Sequence, residues 1–324
     1  MPRTPHPIPD SAVGESLTTA SARALGISPD RLRRADVHHP FRGVATFTIR
    51  PSTVVDRAWA YTQVMHPAAW FSCITAASLR GLPVPRAASD GPLHVVVPRG
   101  VHPPRSLGVV GHQRDLEPPV VEQILCPLST GELVPLRTGT IGSVLLTAAS
   151  HLSLPDLVAL VDAARLADEG GTVMETERML TRSSRRAGSA ALAEALLLSR
   201  AGVRSRPETH LRLLIARAGL PAPEVAPGVR TPLGNLHPDL GWPEYRVLVE
   251  YEGDGHRTDD RVFASDLRRF DAYADADWSA VRCSKADLYG DPRRVLESVA
   301  RRLRARGWKS RARRGAGIRP IAVP

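Results

Sequence analysis

The sequence predicts an α/β protein built from two parts. Its 324 residues are more than a single hydrophobic core normally needs. Short apolar runs typical of buried strands, such as LHVVVP and RVLVEYEG, alternate with amphipathic helical segments in both halves. From composition and punctuation we expect these segments: a disordered arm 1–14, a helix-turn-helix subdomain 15–57, an α/β unit 58–167, a linker with a helix 168–203, a second α/β domain 204–308 and a basic tail 309–324.

The charge of the chain favours a polyanionic partner. The formal net charge is +10, and Lys285 and Lys309 are the only lysines among 43 basic residues, so the excess is carried by arginine. Arginine binds phosphate well because its planar fork donates two parallel hydrogen bonds. Nucleic acid is therefore the leading partner class. A simply solvated basic surface is the alternative.

Cysteine usage and hydropathy favour the cytoplasm. Cys73, Cys126 and Cys283 are far apart and fit neither a disulfide framework nor the spacing of a zinc motif. The first residues lack the apolar segment of a signal peptide, and no apolar run is long enough to cross a bilayer. We expect a cytoplasmic protein without a membrane partner, and the sequence leaves its oligomeric state open.

Residues 15–50 show a helix–turn–helix–wing pattern. A short amphipathic helix ends at a glycine, Ser28 is a good N-cap for a second helix, and the strand-like FRGVATFTI follows. The second helix bears Arg31, Arg33 and Arg34, which are candidate DNA contacts because this arrangement suits a DNA-reading motif. A small helical subdomain without such a role is the alternative.

The next segment reads as a small α/β unit. We predict a mostly helical stretch over 59–79, strands at LHVVVP and GVVGHQ, and a helix over 154–166. The polar stretch 168–186 is interpreted as an irregular linker. Three histidines here lack a partner at ligand spacing, so structural roles are expected for His66, His94 and His112.

The first half resembles a known family. The segments LTTASARALGISPDRLRR and FRGVATF, then TAASLRGLPVP, LHVVVP and GHQ, look like the AbiEi-type antitoxins of abortive-infection systems over about residues 15–165. The resemblance implies a winged helix that binds promoter DNA and represses its own operon. This chain has GVA where that family usually has GVY.

A predicted hairpin in the second half concentrates carboxylates. NLHPDLGW and RVLVEYEG read as strands joined at Pro243–Tyr245, and a turn centred there places Asp239 directly opposite Glu250. Glu252 shares the face of Glu250 because side chains alternate along a strand. Like charges so placed are destabilising, and a magnesium ion is a simple remedy because it prefers oxygen ligands. An acidic surface patch is the alternative.

Glu208 adds a fourth acid. It lies on the inward-facing stripe of the helix ETHLRLLIARAG, which also contains Leu211 and Ile215. Pro207 places Glu208 in the first helical turn, where the helix dipole favours an anion, so a structural role is also open.

Residues 204–308 resemble the PD-(D/E)XK nuclease superfamily, nearest to its very-short-patch-repair-like branch. The resemblance rests on a helix with Glu, a strand pair with PD and then E-x-E, and a following H…D…R helix, and it implies a restriction-endonuclease-like domain of order αβββαβ. It implies further that Asp239 and Glu250 bind Mg²⁺ or Mn²⁺ and that Glu208 supports the metal or its water. His256 becomes a candidate for proton transfer or phosphate contact.

One position departs from the superfamily pattern. Glu252 stands where many members have lysine, although the nearest branch usually has an acid there; we count it as a third metal ligand and catalytic candidate. Without that lysine, His256, Arg257 or a second metal ion has to activate the attacking water. The resemblance gives Asp266 and Arg269 a structural role.

The sequence therefore predicts a magnesium-dependent DNA endonuclease with an N-terminal DNA-binding region. The retained acids favour this function. The antitoxin-like first half favours the main alternative, a non-catalytic transcriptional regulator or antitoxin with a decayed nuclease fold. A ribonuclease is a third hypothesis, because basic charge does not distinguish the two sugars.

Overall fold

The structure is a computed structural model that describes residues 7–47, 50–114, 121–168, 171–182, 186–253 and 260–309. It has the predicted mixed α/β class. The chain divides into two units, Met1–Ser153 with Thr172–Glu194 and Leu154–Gly171 with Ala195–Pro324. Within the described ranges, every helix is too short or too polar to cross a membrane.

The first unit begins with a small antiparallel sheet of order β1–β3–β2 that packs with two short helices. Its elements are a 3-10 turn Asp10–Ala12, β1 Ser16–Thr18, α1 Thr19–Ala24, α2 Pro29–Leu32, β2 Val37–His38 and β3 Val44–Phe47. Ser28 caps α2 as predicted, because its hydroxyl accepts from the Arg31 N–H. However, α2 has only four residues, so Arg33 and Arg34 follow the helix instead of lying on it.

The prediction of a disordered arm over 1–14 is wrong for the residues that are described. Ala12 is fully buried, and Ile8 packs against the core of the small sheet. The proline-rich composition did not predict this packing, because only two apolar side chains of the segment contact the core. Residues 1–6 lie outside the described residues.

The chain then forms a five-stranded mixed sheet of order β6–β5–β4–β8–β7. The elements that follow β3 are α3 Val54–Thr62, β4 Trp70–Phe71, α4 Cys73–Leu79, α5 Arg86–Ser89, β5 Leu93–Val97, β6 Val109–Gln113, β7 Val121–Pro127, β8 Leu133–Gly139, α6 Ile141–Ala148, α7 Leu154–Asp168, α8 Gly171–Arg182 and α9 Ser189–Leu198. Strands β5 and β6 confirm the two predicted strands.

One local prediction in this region is confirmed in part and another is wrong. The stretch 59–79 is mostly helical, through the end of α3 and all of α4, but β4 interrupts it: Trp70 and Phe71 are buried and pair with β5, and this tertiary pairing overrides local propensity. The stretch 168–186 is not irregular, because α8 covers most of its described part. Val173 and Thr176 form the buried stripe of α8, which the surrounding polar residues concealed.

The second unit is built on a four-stranded sheet of order β14–β13–β12–β9, in which β13 and β14 are parallel. Its remaining elements are α10 Arg206–Arg217, β9 Glu224–Val225, β10 Val229–Thr231, β11 Gly234–Leu236, β12 Leu240–Trp242, β13 Val247–Glu252, α11 Asp260–Asp275, β14 Ser279–Ser284, α12 Lys285–Tyr289 and α13 Arg293–Ala305. Helices α10, α12 and α13 cover one face, and α11 packs on the other. This order contains the predicted αβββαβ pattern but adds the separate hairpin β10–β11 and the two helices α12 and α13 after β14; the endonuclease-like identity remains a prediction.

Helix α7 belongs to the second unit, although the sequence assigned it to the first α/β unit. The buried Asp162 of α7 accepts hydrogen bonds from the Thr209 hydroxyl at 2.8 Å and the Arg212 guanidinium at 2.9 Å, both on α10. It also accepts from the Arg200 N–H at 2.6 Å. A buried carboxylate is stable only when so paired, and these bonds fix α10, which carries Glu208.

Candidate functional site

Asp239 and Glu250 meet at one end of the β12–β13 pair. Leu240 pairs with Val249, which is the predicted register, so the next step along the pair brings Asp239 opposite Glu250. The connection contains a 3-10 turn, Pro243–Tyr245, instead of a two-residue turn. The centre of the loop is unchanged, and the register is therefore retained.

Asp239 is a partly buried acid in an electrostatically unfavourable place. Burial, together with the charges of Glu208 and Glu250, raises its pKa to about 7. The Tyr251 N–H, which donates to Asp239 Oδ2 at 2.7 Å, and the Arg269 charge oppose this rise without cancelling it. Asp239 is thus partly protonated at neutral pH, and an added positive charge would return it to the anion.

Glu250 is buried and already has strong partners. Its Oε1 accepts from Arg269 Nε at 2.9 Å, from Arg269 Nη2 at 2.7 Å and from the Tyr273 hydroxyl at 2.8 Å. Burial and the Glu250 charge raise the pKa of Tyr273, which keeps it a neutral donor. Arg269 also donates to the His237 carbonyl at 2.8 Å. It therefore ties together the two chain segments that carry Asp239 and Glu250.

Glu208 has the structural role that its place at the helix start predicts, and its support of a metal stays a prediction. It is in the first turn of α10, its N–H donates to the Ser205 hydroxyl, and its Oε2 accepts from the Arg204 N–H at 3.0 Å. These bonds close the start of the helix. The same carboxylate is close enough to Asp239 to raise the pKa of that acid.

Glu252 is placed differently from the other acids. Its carboxylate pairs with Arg282 Nε of β14 at 3.1 Å, and the Arg282 guanidinium lies over the Phe270 ring at 4.0 Å. Among the described residues, these acids do not form a set of three whose ligand oxygens all lie within 4.8 Å of one another. The predicted set of Asp239, Glu250 and Glu252 is therefore not preformed.

The remaining predicted residues of this domain fall in two groups. His256 and Arg257 lie outside the described residues. Asp266 and Arg269 lie on α11. Arg269 has the expected structural role, and it exerts that role directly on the candidate ligand Glu250.

The three arginines proposed to contact DNA separate into one buried and two exposed residues. Arg31 is 8% exposed, and its guanidinium binds Asp36 at 2.8 and 2.6 Å, which lowers the pKa of Asp36. We correct its assignment to a packing role, since this fork is already occupied inside the subdomain. Arg33 and Arg34 are exposed, and Arg33 pairs with Asp30 at the surface.

A second cluster of chemically active side chains was missed by the sequence analysis. Cys73, His94, His112 and His151 bring their ligand atoms within 4.8 Å of one another in the first unit. Sequence spacing therefore did not reveal that Cys73 lies among histidines. The histidines around Cys73 are far from it in sequence. His112 follows Cys73 by 39 residues and His94 by 18 residues, so no spacing motif reveals the cluster.

The comparisons with known proteins name relatives without a stated function. No family model matches the chain. Two uncharacterised proteins, from two strains of Mycobacterium tuberculosis, each share 28% identity with it over 156 residues. The aligned stretch covers 48% of this chain and 57% of each relative, so the match spans just over half the length of those proteins.

Proposed function

We propose that the second unit is a nuclease that hydrolyses phosphodiester bonds with Mg²⁺ or Mn²⁺ held by Asp239 and Glu250. The observation that supports this proposal is the convergence of acids: Asp239 lies opposite Glu250 in the β12–β13 register, and burial with the charges of Glu208 and Glu250 raises its pKa to about 7. Structural carboxylates are normally arranged to stay fully ionised, whereas a bound cation would favour the ionised form of this one. The net charge of +10 suits a nucleic-acid substrate.

The donor set fits magnesium in number and type. Magnesium is commonly held by one or two carboxylates, with water and substrate phosphate completing its shell. The Tyr251 N–H donates to Asp239 Oδ2, and both Arg269 and Tyr273 donate to Glu250 Oε1. We therefore assign Asp239 Oδ1 and Glu250 Oε2 to the ion. When bound, such an ion supplies a more acidic water and offsets charge on the phosphate.

The protein's own contribution is positioning. Arg269 and Tyr273 hold Glu250 in one orientation, and Arg269 links that acid to the segment before Asp239 through the His237 carbonyl. Glu208 makes the site more negative from the start of α10. In the reaction water attacks phosphorus, the bond to one sugar oxygen breaks, and that oxygen leaves as a hydroxyl after gaining a proton.

The first test is incubation of the full chain with supercoiled plasmid, single-stranded DNA and RNA. We expect cleavage with Mg²⁺ or Mn²⁺ and none with EDTA or with Ca²⁺ alone, because calcium prefers a larger and less regular oxygen shell. Cleavage of RNA alone would assign the activity to ribonucleases. Cleavage that persists in EDTA would contradict the metal-dependent mechanism.

A second candidate function is a non-catalytic DNA-binding regulator. The observation that favours it is that arginines of the protein already balance two of the acidic charges: Arg269 pairs with Glu250, and Arg282 pairs with Glu252. Under this hypothesis the acids hold the fold together, and the exposed arginines carry the function. DNA binding with no cleavage under any metal would support it.

DNA binding through the first unit predicts a specific salt dependence. Replacing Arg33 and Arg34 with serine should weaken binding of the full chain to duplex DNA in EDTA. Each phosphate contact that is lost leaves one more counterion bound to the DNA. The slope of log K against log salt should become shallower by about 1–2. The matched control is the exposed pair Arg86→Ser and Arg105→Ser, which removes the same charge elsewhere on the unit. Equal slopes for the two double variants would exclude this surface.

A further inference from the structure

We propose that Cys73, His94, His112 and His151 form a zinc site in the first unit. Three imidazoles and one thiol place their ligand atoms within 4.8 Å of one another, on four different parts of the fold. Three histidines and a cysteine are ligands that Zn²⁺ prefers, and magnesium does not. This site is separate from the acids of the second unit and does not depend on their function.

The sheet and two helices bring these residues together. Strand β5 carries His94 and β6 carries His112, and these strands are parallel neighbours in which His112 pairs with Val96, two residues beyond His94. Both imidazoles therefore lie on the same face of the sheet. Cys73 begins α4 directly after β4, and His151 follows α6, which packs against α4.

The separations are close to those of a tetrahedral zinc site. His94 Nδ1 lies 3.0 Å from His112 Nε2, and Cys73 Sγ lies 3.9 Å from the same nitrogen. With zinc–ligand bonds of ~2.0–2.3 Å, tetrahedral geometry puts neighbouring nitrogens about 3.4 Å apart and sulfur about 3.6 Å from nitrogen. Side-chain movements of a few tenths of an ångström would reconcile these two pairs with that geometry.

The backbone at Cys73 is held in an unusual conformation. Its φ is 52°, in the left-handed region that few non-glycine residues occupy. Its N–H donates to the Thr147 hydroxyl of α6 at 3.2 Å. This contact holds the first residue of α4 so that the thiol reaches the imidazoles.

The protonation states also suit ligation. Burial lowers the pKa of His94 and of His112 to about 4, so both rings are neutral and keep a nitrogen lone pair at physiological pH. Burial raises the pKa of the Cys73 thiol, while the hydroxyls of Ser72 and Thr147 oppose that rise. Zinc deprotonates a thiol that it binds, and the Ser72 hydroxyl, 3.2 Å from Cys73 Sγ, is placed to donate to the resulting thiolate.

A cavity of about 310 Å³ lies among chain neighbours of the cluster, but none of the four ligands lines it. Its lining includes Gln113, Thr147 and Ser150, together with Arg114 and Arg186. Gln113 follows His112, and Ser150 precedes His151 in the chain. Because four protein ligands complete a tetrahedral shell, we assign the ion a structural role that links β5, β6, α4 and the end of α6.

The test is metal analysis of the full chain after exposure to Zn²⁺ and gel filtration. We expect about one zinc per chain in the wild type, and a fall in the melting temperature of roughly 5–10 °C when a strong chelator removes it. Substitution with Co²⁺ should give the visible bands of a tetrahedral ion and a thiolate charge-transfer band in the near ultraviolet. Cys73→Ser should lose the charge-transfer band.

Variants separate this site from other sources of zinc. His151→Gln, at an exposed position, should lose most of the bound zinc while remaining folded. Cys126→Ser is the matched control for a buried cysteine outside the cluster, and Asp239→Asn is the control for the second unit; both should retain zinc. The proposal is overturned if the wild type binds no zinc, which leaves a set of hydrogen-bonded neutral imidazoles. It is equally overturned if Cys73→Ser and His151→Gln both bind zinc as tightly as the wild type does.

Discussion

Asp239→Asn is expected to reduce Mg²⁺-dependent cleavage by roughly a thousandfold. Asparagine keeps the shape and still accepts the Tyr251 N–H, but it removes the charge that we assign to metal binding. A catalytic metal supplies several kcal/mol of charge stabilisation, and each ~1.4 kcal/mol corresponds to a factor of ten in rate. Initial rates on plasmid DNA at saturating Mg²⁺ measure the loss.

The controls for this experiment come from the same sheet. Glu250→Gln should show a loss of similar size, because it also removes a charge that we assign to metal binding. Glutamine retains an oxygen acceptor for Arg269, so the local structure should be kept. Glu244→Gln removes one negative charge at an exposed position in the turn at the opposite end of the β12–β13 pair, and it should leave the rate unchanged. If Asp239→Asn and Glu244→Gln had equal activity, Asp239 would not be a metal ligand.

The second large effect is on stability and its dependence on pH. The pKa of Asp239 is raised from its ordinary value of 3.8 to about 7, so the folded state binds a proton that the unfolded state has lost between those values. Stability from this group therefore falls as pH rises from about 4 to 7, by up to roughly 4 kcal/mol. Asp239→Asn does not titrate. It should melt slightly above the wild type at pH 5 and several degrees further above it at pH 8.

Magnesium should reduce that difference. At pH 8 the ion binds the folded wild type and stabilises it by about 2.7 kcal/mol at a hundredfold excess over Kd, whereas Asp239→Asn gains little. Comparison of the two proteins at each pH removes the effect of other groups, such as His94 and His112, whose lowered pKa values are common to both. A variant that is less stable at pH 8, with no magnesium effect on either protein, would identify Asp239 as a structural acid.

These two experiments distinguish the enzyme from the regulator. Loss of cleavage together with a gain in metal-free stability is the behaviour of an active site, where function is maintained at the expense of stability. Loss of stability with no cleavage in the wild type would favour the DNA-binding regulator. The zinc proposal survives either outcome because its ligands are in the first unit.

Local sequence was sufficient for the features that depend on neighbours in the chain. The register of β12 and β13 follows from the position of the loop between them, so Asp239 and Glu250 could be paired in advance. Strands β5 and β6 follow from short apolar runs, and the N-cap of α2 from Ser28. Each of these depends on contacts within a few tens of residues.

Tertiary structure decided which side chains meet, even where the partner is near in the chain. Arg31 resembled a surface arginine until its guanidinium was found on Asp36, and the partner of Arg269 was unknown until its guanidinium was found on Glu250. The cluster of Cys73 with His94, His112 and His151 has no spacing signature, because sheet pairing and helix packing bring its members together. Side-chain pattern reports which face of an element is buried. It does not report which other element that face will meet, since many pairings bury the same apolar area.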